Sequence, residues 1–431
     1  MHIVYQLVSY LVIGLLLPVW MLHPKLRQGL LRRLGLYRDV AEPGQIWPPT
    51  RGEGPRIVLH GASAGDLLAL LPIIRHLRTR APDCTLIVST MTNSGFAIAQ
   101  DGLEGLPDGV TVVPYDLPGA TTRAMQVLAP DLLVLEYTEL WPNLIHAAKA
   151  RGAKVALTNG RLSEGNMRRY RWMGLLFGNP LARLDLLLMR EEVEAERALK
   201  LGAPQSRIQV TGNTKFDNLV KKLPEDSDAL KAALGQHEGA WFVAGSTHEG
   251  EEKGIIQAFR GMREVQHDLR LLIAPRYVER APKIAALAKH EGFEAGLRSG
   301  ESAGTSDVVV LDTMGELATA YGLATLVFVG GSFVQRGGQN ILEPAGQGRP
   351  VLFGPNMRNF RDSVEVLLGR GGIQVTSPEQ LQKVACELLA RPEEIEHLGS
   401  MARAAVQKVR GASERNAQAL LRLAPRRTLH S

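Results

Sequence analysis

Short apolar runs, each followed by a segment of helical periodicity, recur along almost the whole chain, and this alternation narrows the fold more than any other feature. The runs Arg56–His60, Thr85–Ser89, Val110–Pro114, Leu132–Glu136, Lys154–Thr158, Leu184–Met189 and Ile208–Thr211 predict strands in the first half. Between them, segments such as Leu67–Arg80 and Trp141–Arg151 carry apolar residues at helical spacing. Runs without polar alternation suit strands covered on both faces, so the pattern predicts a parallel, doubly wound α/β sheet. A polar stretch, Lys221–Gly239, interrupts the alternation. It restarts with Trp241–Gly245, Leu269–Ala274, Val308–Asp312, Thr325–Gly330, Pro350–Gly354 and Gly372–Val375. At 431 residues the chain is too long for a single core. Two Rossmann-like domains are therefore expected, residues 55–220 and 240–410, with ligands at the carboxyl ends of their strands in a cleft.

The N-terminus departs from this plan. Ile3–Leu22 is an apolar run of about the length that crosses a bilayer core. No small-residue cleavage site follows it, and Lys25, Arg27, Arg32, Arg33 and Arg38 do. Residues 1–40 are expected to form a membrane anchor and basic juxtamembrane segment, with the rest on the cytoplasmic face. A buried core helix is the competing reading. The Pro- and Gly-rich stretch Ala41–Pro55 then reads as a linker. Cys84 and Cys386 are the only cysteines and lie far apart, which gives no disulfide framework and suits a reducing compartment. Beyond Arg168–Trp172 no basic stripe interleaved with aromatics appears, which argues against nucleic acid as a partner.

Candidate chemistry follows the predicted strand ends. After the first strand, the small-residue turn Gly61–Gly65 leads to Asp66, placed to take a proton from a hydroxyl or, equally, to cap the next helix. Glu139, in Glu136–Trp141, could stabilise positive charge or bind an acceptor, or serve as an ordinary helix-start charge. Glu136 is expected on the opposite strand face from Tyr137. In Thr211–Asp217, Lys215 could meet a leaving phosphate or remain a solvated lysine. The second half repeats the plan in Ala244–Glu252, where His248 reads as a turn residue. Arg276, next to Pro275, could clamp a phosphate or simply be exposed in a loop. Met314, Gly315 and Glu316 could read a base or ribose, although Glu in a first turn is also ordinary. In Gly330–Pro355, glycines let backbone N–H groups approach a ligand, and Asn340, Ile341, Leu342 and Glu343 start a helix whose N-terminus would favour an anion. No metal-ligand spacing, Walker lysine or GxGxxG loop is present.

Taken together, Tyr115–Gly119 (YDLPG), TELWPNL, NGRLS, GNTKFD, AGSTHEGEE, GELATAYGLA and GGSFVQRGGQNILEPA resemble the bacterial Kdo (3-deoxy-D-manno-octulosonic acid) transferases, in the same order, from the N-terminus to about Asp362. The resemblance implies a membrane-associated, metal-independent, inverting glycosyltransferase of the GT-B fold. It would move Kdo from CMP-Kdo to a lipid A precursor in lipopolysaccharide biosynthesis at the inner membrane. By that resemblance Asp66, Glu139 and Lys215 would be catalytic. Pro275, Arg276, Met314, Gly315, Glu316 and Asn340 through Glu343 would hold the nucleotide-sugar donor, with no cofactor. Three positions depart from the family pattern: Asp66 stands where it has Glu, Tyr137 where it has Glu, and Gln339 where it has His. These leave room for another donor or acceptor, or for a membrane-anchored binding protein that keeps the fold.

Overall fold

The computed structural model describes residues 2–424 apart from 23–28, 43, 220–227, 236 and 238. Lys25 and Arg27 of the expected basic cluster, and the first part of Lys221–Gly239, lie outside the described residues. The chain divides into two compact units, one running to Asn218 and resuming at Gly411, the other comprising Leu219–Arg410.

In the first unit, β1 (Arg56–His60), β2 (Thr85–Thr90), β3 (Gly109–Val112), β4 (Leu132–Glu136), β5 (Lys154–Gly160), β6 (Leu186–Met189) and β7 (Ile208–Val210) form one sheet. Its order is β3-β2-β1-β4-β5-β6-β7, and every pairing is parallel. Strands β1, β2 and β4 are buried at every residue, which is why their sequences are continuous apolar runs. The helix Ala64–Arg80 buries Leu67, Leu70, Ile73, Ile74 and Leu77 in the core. On it packs the last helix, Ala412–Leu423. Asp217 fixes the entry to that last helix by accepting from the Gly411 and Ser413 N–H groups, each at 2.7 Å.

The N-terminal segment is a helix, His2–Leu22. It is docked through Tyr5, whose hydroxyl donates to Asp116 Oδ2 at 2.7 Å. Asp116 in turn accepts from the Asn143 and Leu144 N–H groups at the start of the helix Pro142–Ala150. Val4, Leu7, Val8, Leu11, Val12 and Leu15 of the docked helix face outward, at the spacing of one helical stripe. Among the described residues no helix is long and apolar enough to cross a membrane. The expected basic flank is also partly consumed by the protein itself. Arg33 is buried, donates to the Met91 carbonyl and stacks on Tyr115, while Arg32 pairs with Asp39 and lies over Trp47.

The second unit holds β8 (Trp241–Thr247), β9 (Arg270–Pro275), β10 (Ala295–Leu297), β11 (Val308–Val310), β12 (Leu326–Val329), β13 (Val351–Phe353) and β14 (Gly372–Gln374). The sheet order is β10-β11-β9-β8-β12-β13-β14, again parallel throughout. Edge strand β10 is absent from the sequence-based expectation, because three residues, Ala-Gly-Leu, carry no readable period. In each unit the strand order reverses at the centre of the sheet, between β1 and β4 and between β8 and β12, and the second sheet turns again at its edge, where β11 lies between β10 and β9. Open α/β sheets bind ligands at the carboxyl ends of strands at such a point.

Candidate functional site

The carboxyl ends of β1 and β4 gather most of the predicted chemistry of the first unit. His60, the last residue of β1, is fully buried, with Nδ1 3.0 Å from Ser89 Oγ. Its Nε2 lies 3.6 Å from Glu139 Oε2, which also accepts from Trp141 Nε1 at 2.8 Å. Burial pushes the Glu139 carboxyl up, but His60 and Trp141 outweigh it and hold the group below the usual carboxylate range.

Asp66 does form the cap that its sequence position allows. Its Oδ2 accepts from the Ser63 N–H at 2.8 Å, and Ser63 Oγ accepts from the Asp66 N–H, a reciprocal capping box. Among the described residues Oδ1 makes no hydrogen bond, so the cap engages only one oxygen of this half-buried carboxylate.

Glu136 and Tyr137 overturn the expectation of opposite faces. Tyr137 has φ 55°, so strand alternation ends at Glu136. The Tyr137 ring meets Lys215 Nζ at 5.4 Å, while Glu136 feels the charges of both Asp66 and Lys215. Glu136 is completely buried and accepts from Thr158 Oγ1 at 2.6 Å and from Asn159 Nδ2. Burial pushes its carboxyl up to about 8, the Asp66 charge adds to this, and the two hydrogen bonds and Lys215 oppose it. Asn159, also at positive φ (49°), extends the network. Its amide donates to Thr214 Oγ1, its Oδ1 accepts from the Thr214 N–H at 3.0 Å, and Thr214 Oγ1 donates to the Ala69 carbonyl at 2.8 Å. Asn159 thus ties β4 to the turn carrying Lys215, and Thr214 ties that turn to the helix carrying Asp66. Lys215 itself is exposed.

In the second unit the glycine loop after β12 is braced from within. Buried Glu251 accepts from the N–H groups of Gly331 at 2.6 Å, His248 at 2.8 Å and Phe333 at 3.3 Å. The Gly331 and Phe333 amides of the loop expected to face a ligand are therefore already engaged. Gly330 is required by closeness, since a Cβ there would sit 2.6 Å from Thr247 Cα. The helix predicted to present an anion site is a single short turn, Leu342–Gly346, and Asn340 Oδ1 already accepts from the Leu342 N–H at 3.1 Å. Asn340 Nδ2 donates to the Leu219 carbonyl, and Ile341 and Leu342 are fully buried. Asn340, Ile341 and Leu342 thus shape the loop, whereas Glu343 is half-buried, and its charge helps push the Tyr321 hydroxyl up, after burial.

Arg276 follows Pro275, the last residue of β9, and is exposed. Met314 is 87% exposed beside Gly315 at φ 91°. Glu316 accepts from Arg298 Nη2 at 2.8 Å and from the Thr313 hydroxyl. His248 is no mere turn residue. It is buried, edge-on to Tyr277 at 5.8 Å, with Nε2 3.4 Å from Gln339 Nε2. Burial, then Arg336, Arg276 and Arg280, hold its imidazole below the usual range.

Sequence reasoning missed Glu251 and Arg298 as partners and gave Asn159 no role. Glu251 had a signal in its place three residues after His248 at a helix start, while Arg298 reaches Glu316 only through the β10–β11 neighbourhood.

Residues 28–218 match the family described as 3-Deoxy-D-manno-octulosonic-acid transferase (kdotransferase). The 3-deoxy-D-manno-octulosonic acid transferase of Haemophilus influenzae is 32% identical over 399 residues, 91% of this chain and 90% of that one. The C-terminal CMP-Kdo binding domain of WaaA from Acinetobacter baumannii is 28% identical, covering 42% of this chain and 100% of that one, with a TM-score of 0.39. UDP-GlcNAc 2-epimerase from Neisseria meningitidis is 15% identical over 85% of this chain and 100% of that one, with a TM-score of 0.53, a likeness of fold.

Proposed function

The chain belongs to the 3-deoxy-D-manno-octulosonic acid transferase family, and from that premise we propose that it transfers Kdo from CMP-Kdo to a lipid A precursor in lipopolysaccharide biosynthesis. The observation that carries a working site is the buried Glu136–Asn159–Thr214 hydrogen-bond network, which joins the end of β4, where the first sheet reverses its strand order, to the turn of Lys215 and the helix of Asp66. Asp66 takes the proton of an acceptor hydroxyl on Oδ1, while the capping box holds Oδ2 and fixes the side chain. The hydroxyl oxygen bonds to the anomeric carbon, the bond from that carbon to the CMP phosphate breaks, and CMP leaves with the electron pair. A single displacement inverts the anomeric centre. Lys215 supplies positive charge over the Tyr137 ring and near Glu136, and Glu139 is held ionised by His60 and Trp141 for contact with the acceptor.

Donor binding falls to the second unit, with Arg276 for phosphate and Glu316 and Glu343 for hydroxyls or base. These side chains supply the base and the charge for the step, and CMP-Kdo enters it as a substrate.

The outward apolar stripe of the helix His2–Leu22 supports attachment to a membrane surface, here the cytoplasmic face of the inner membrane. Thermal-shift measurements with nucleotides test the donor. Stabilisation by CMP and not by UDP or GDP is expected, and the reverse order would refute CMP-Kdo.

A further inference from the structure

A cavity of about 340 Å³ opens in the first unit beside Glu139. Its walls include Leu140, Trp141, Tyr170, Leu181, Leu201 and Tyr5. The polar ends of two of its amphipathic wall residues are already engaged, Trp141 Nε1 by Glu139 and the Tyr5 hydroxyl by Asp116. Asn179, also on the wall, donates to the Leu201 carbonyl and accepts from the Leu181 N–H. What remains toward the space is largely carbon. An apolar cavity of roughly 150 Å³ takes up benzene in water, and this one is more than twice as large.

Two further features say what fills it. Arg169 lies on its wall, and Arg168, Arg169 and Arg171 are exposed with no carboxylate partner among the described residues. On the same helix, Met167–Phe177, Trp172 is 65% and Leu175 62% exposed, and this helix packs against the helix His2–Leu22 with its outward apolar stripe. Cations beside exposed apolar side chains suit a phosphorylated glycolipid at a membrane surface. Glu139 joins the cavity to the strand-end site, since it lines the one and lies 3.6 Å from His60 in the other.

We propose that this cavity receives one acyl chain of the acceptor lipid, so that the enzyme measures the acceptor by its chain as well as by its sugar. The proposal rests on the transferase reading. A chain seated here leaves the phosphorylated head at the arginines and the sugar hydroxyl beside Glu139. Chain burial then lowers KM without entering the chemical step.

The full-length enzyme is assayed with CMP-Kdo and acceptors whose acyl groups lengthen from butanoyl to dodecanoyl. KM is expected to fall about fourfold per added methylene until the cavity is full, and then to level off. Leu201→Trp, which fills the cavity, should bring the plateau to shorter chains and raise KM for the dodecanoyl acceptor about tenfold. A readout independent of turnover is the fluorescence of dansyl-undecanoic acid, expected to bind the wild type and to bind Leu201→Trp much more weakly. A KM indifferent to chain length overturns the proposal, as does equal probe binding by both proteins. Probe displacement by phospholipid vesicles as readily as by the acceptor overturns the acceptor as the source of the chain. Normal probe behaviour with no transfer to any acceptor removes the transferase reading while leaving a chain-binding site.

Discussion

Lys215 Nζ lies 5.4 Å from the centre of the Tyr137 ring, so this cation is seated on an aromatic face at the position where the resembled family carries a carboxylate. An ion pair would bind the lysine more tightly and cancel its charge, whereas a ring holds it and leaves the charge available. Tyr137→Leu should therefore lower kcat/KM only two- to fivefold, matching about 0.5–1 kcal/mol for the lost contact. Lys215→Met should lower it about a hundredfold, by removing the charge itself. Steady-state kinetics on both variants checks the order, and a larger loss in Tyr137→Leu would contradict it.

The buried Glu136 carboxyl makes stability depend on pH. Its folded pKa, about 8, lies above the unfolded value of about 4.3. The fold therefore binds this proton more tightly, and the stability it contributes is full below about pH 4 and is lost as the pH rises through about 8. Across that window the melting temperature of the wild type should fall relative to Glu136→Gln, which stays neutral. Parallel melting curves for the two proteins would show that Glu136 is not protonated in the fold.

Glu251 braces the loop that follows β12 through three backbone N–H groups. Glu251→Ala strands those donors and should destabilise the protein by at least about 3 kcal/mol, with CMP affinity lost alongside. Thermal unfolding and calorimetric titration with CMP measure the two effects, and unchanged CMP binding would separate the loop from the donor site.

Glu343→Ala should weaken CMP binding about ten- to a hundredfold, the loss of a charge-assisted hydrogen bond of about 1.5–3 kcal/mol. Arg298→Met should weaken it less, about tenfold, by releasing the Glu316 carboxylate that Arg298 holds at 2.8 Å. Asp66→Ala, in the other unit, should leave CMP affinity unchanged. Calorimetry on the three variants distinguishes the roles, and equal losses in all three would contradict them.

Both sheets could be read from the sequence because their central strands are buried on both faces, as in Arg56–His60 and Leu132–Glu136. The three-residue edge strand Ala295–Leu297 lacks any such pattern. Candidate residues could be named where a polar side chain follows a strand end, as at Asp66, Glu139 and Arg276. Orientation could not be read, because a positive φ at Tyr137 breaks the alternation on which the assignment of Glu136 rested. Partners distant in sequence were equally hidden: Glu251 reaches Gly331 across 80 positions. Within the basic flank of the first helix the same holds for Arg33, since nothing local to it shows that it folds back to the Met91 carbonyl.

The most direct test compares wild type with Asp66→Asn, whose amide oxygen can still accept from the Ser63 N–H and preserve the cap, but which cannot take a proton. Both full-length proteins are incubated with CMP-Kdo and a tetraacylated disaccharide lipid, and the acceptor is weighed by mass spectrometry over time. The expected result is a Kdo adduct from the wild type and a rate about a hundred- to ten-thousandfold lower from Asp66→Asn, at an unchanged melting temperature. Transfer by Asp66→Asn at the wild-type rate, or no adduct from the wild type beside an active relative, would contradict the account.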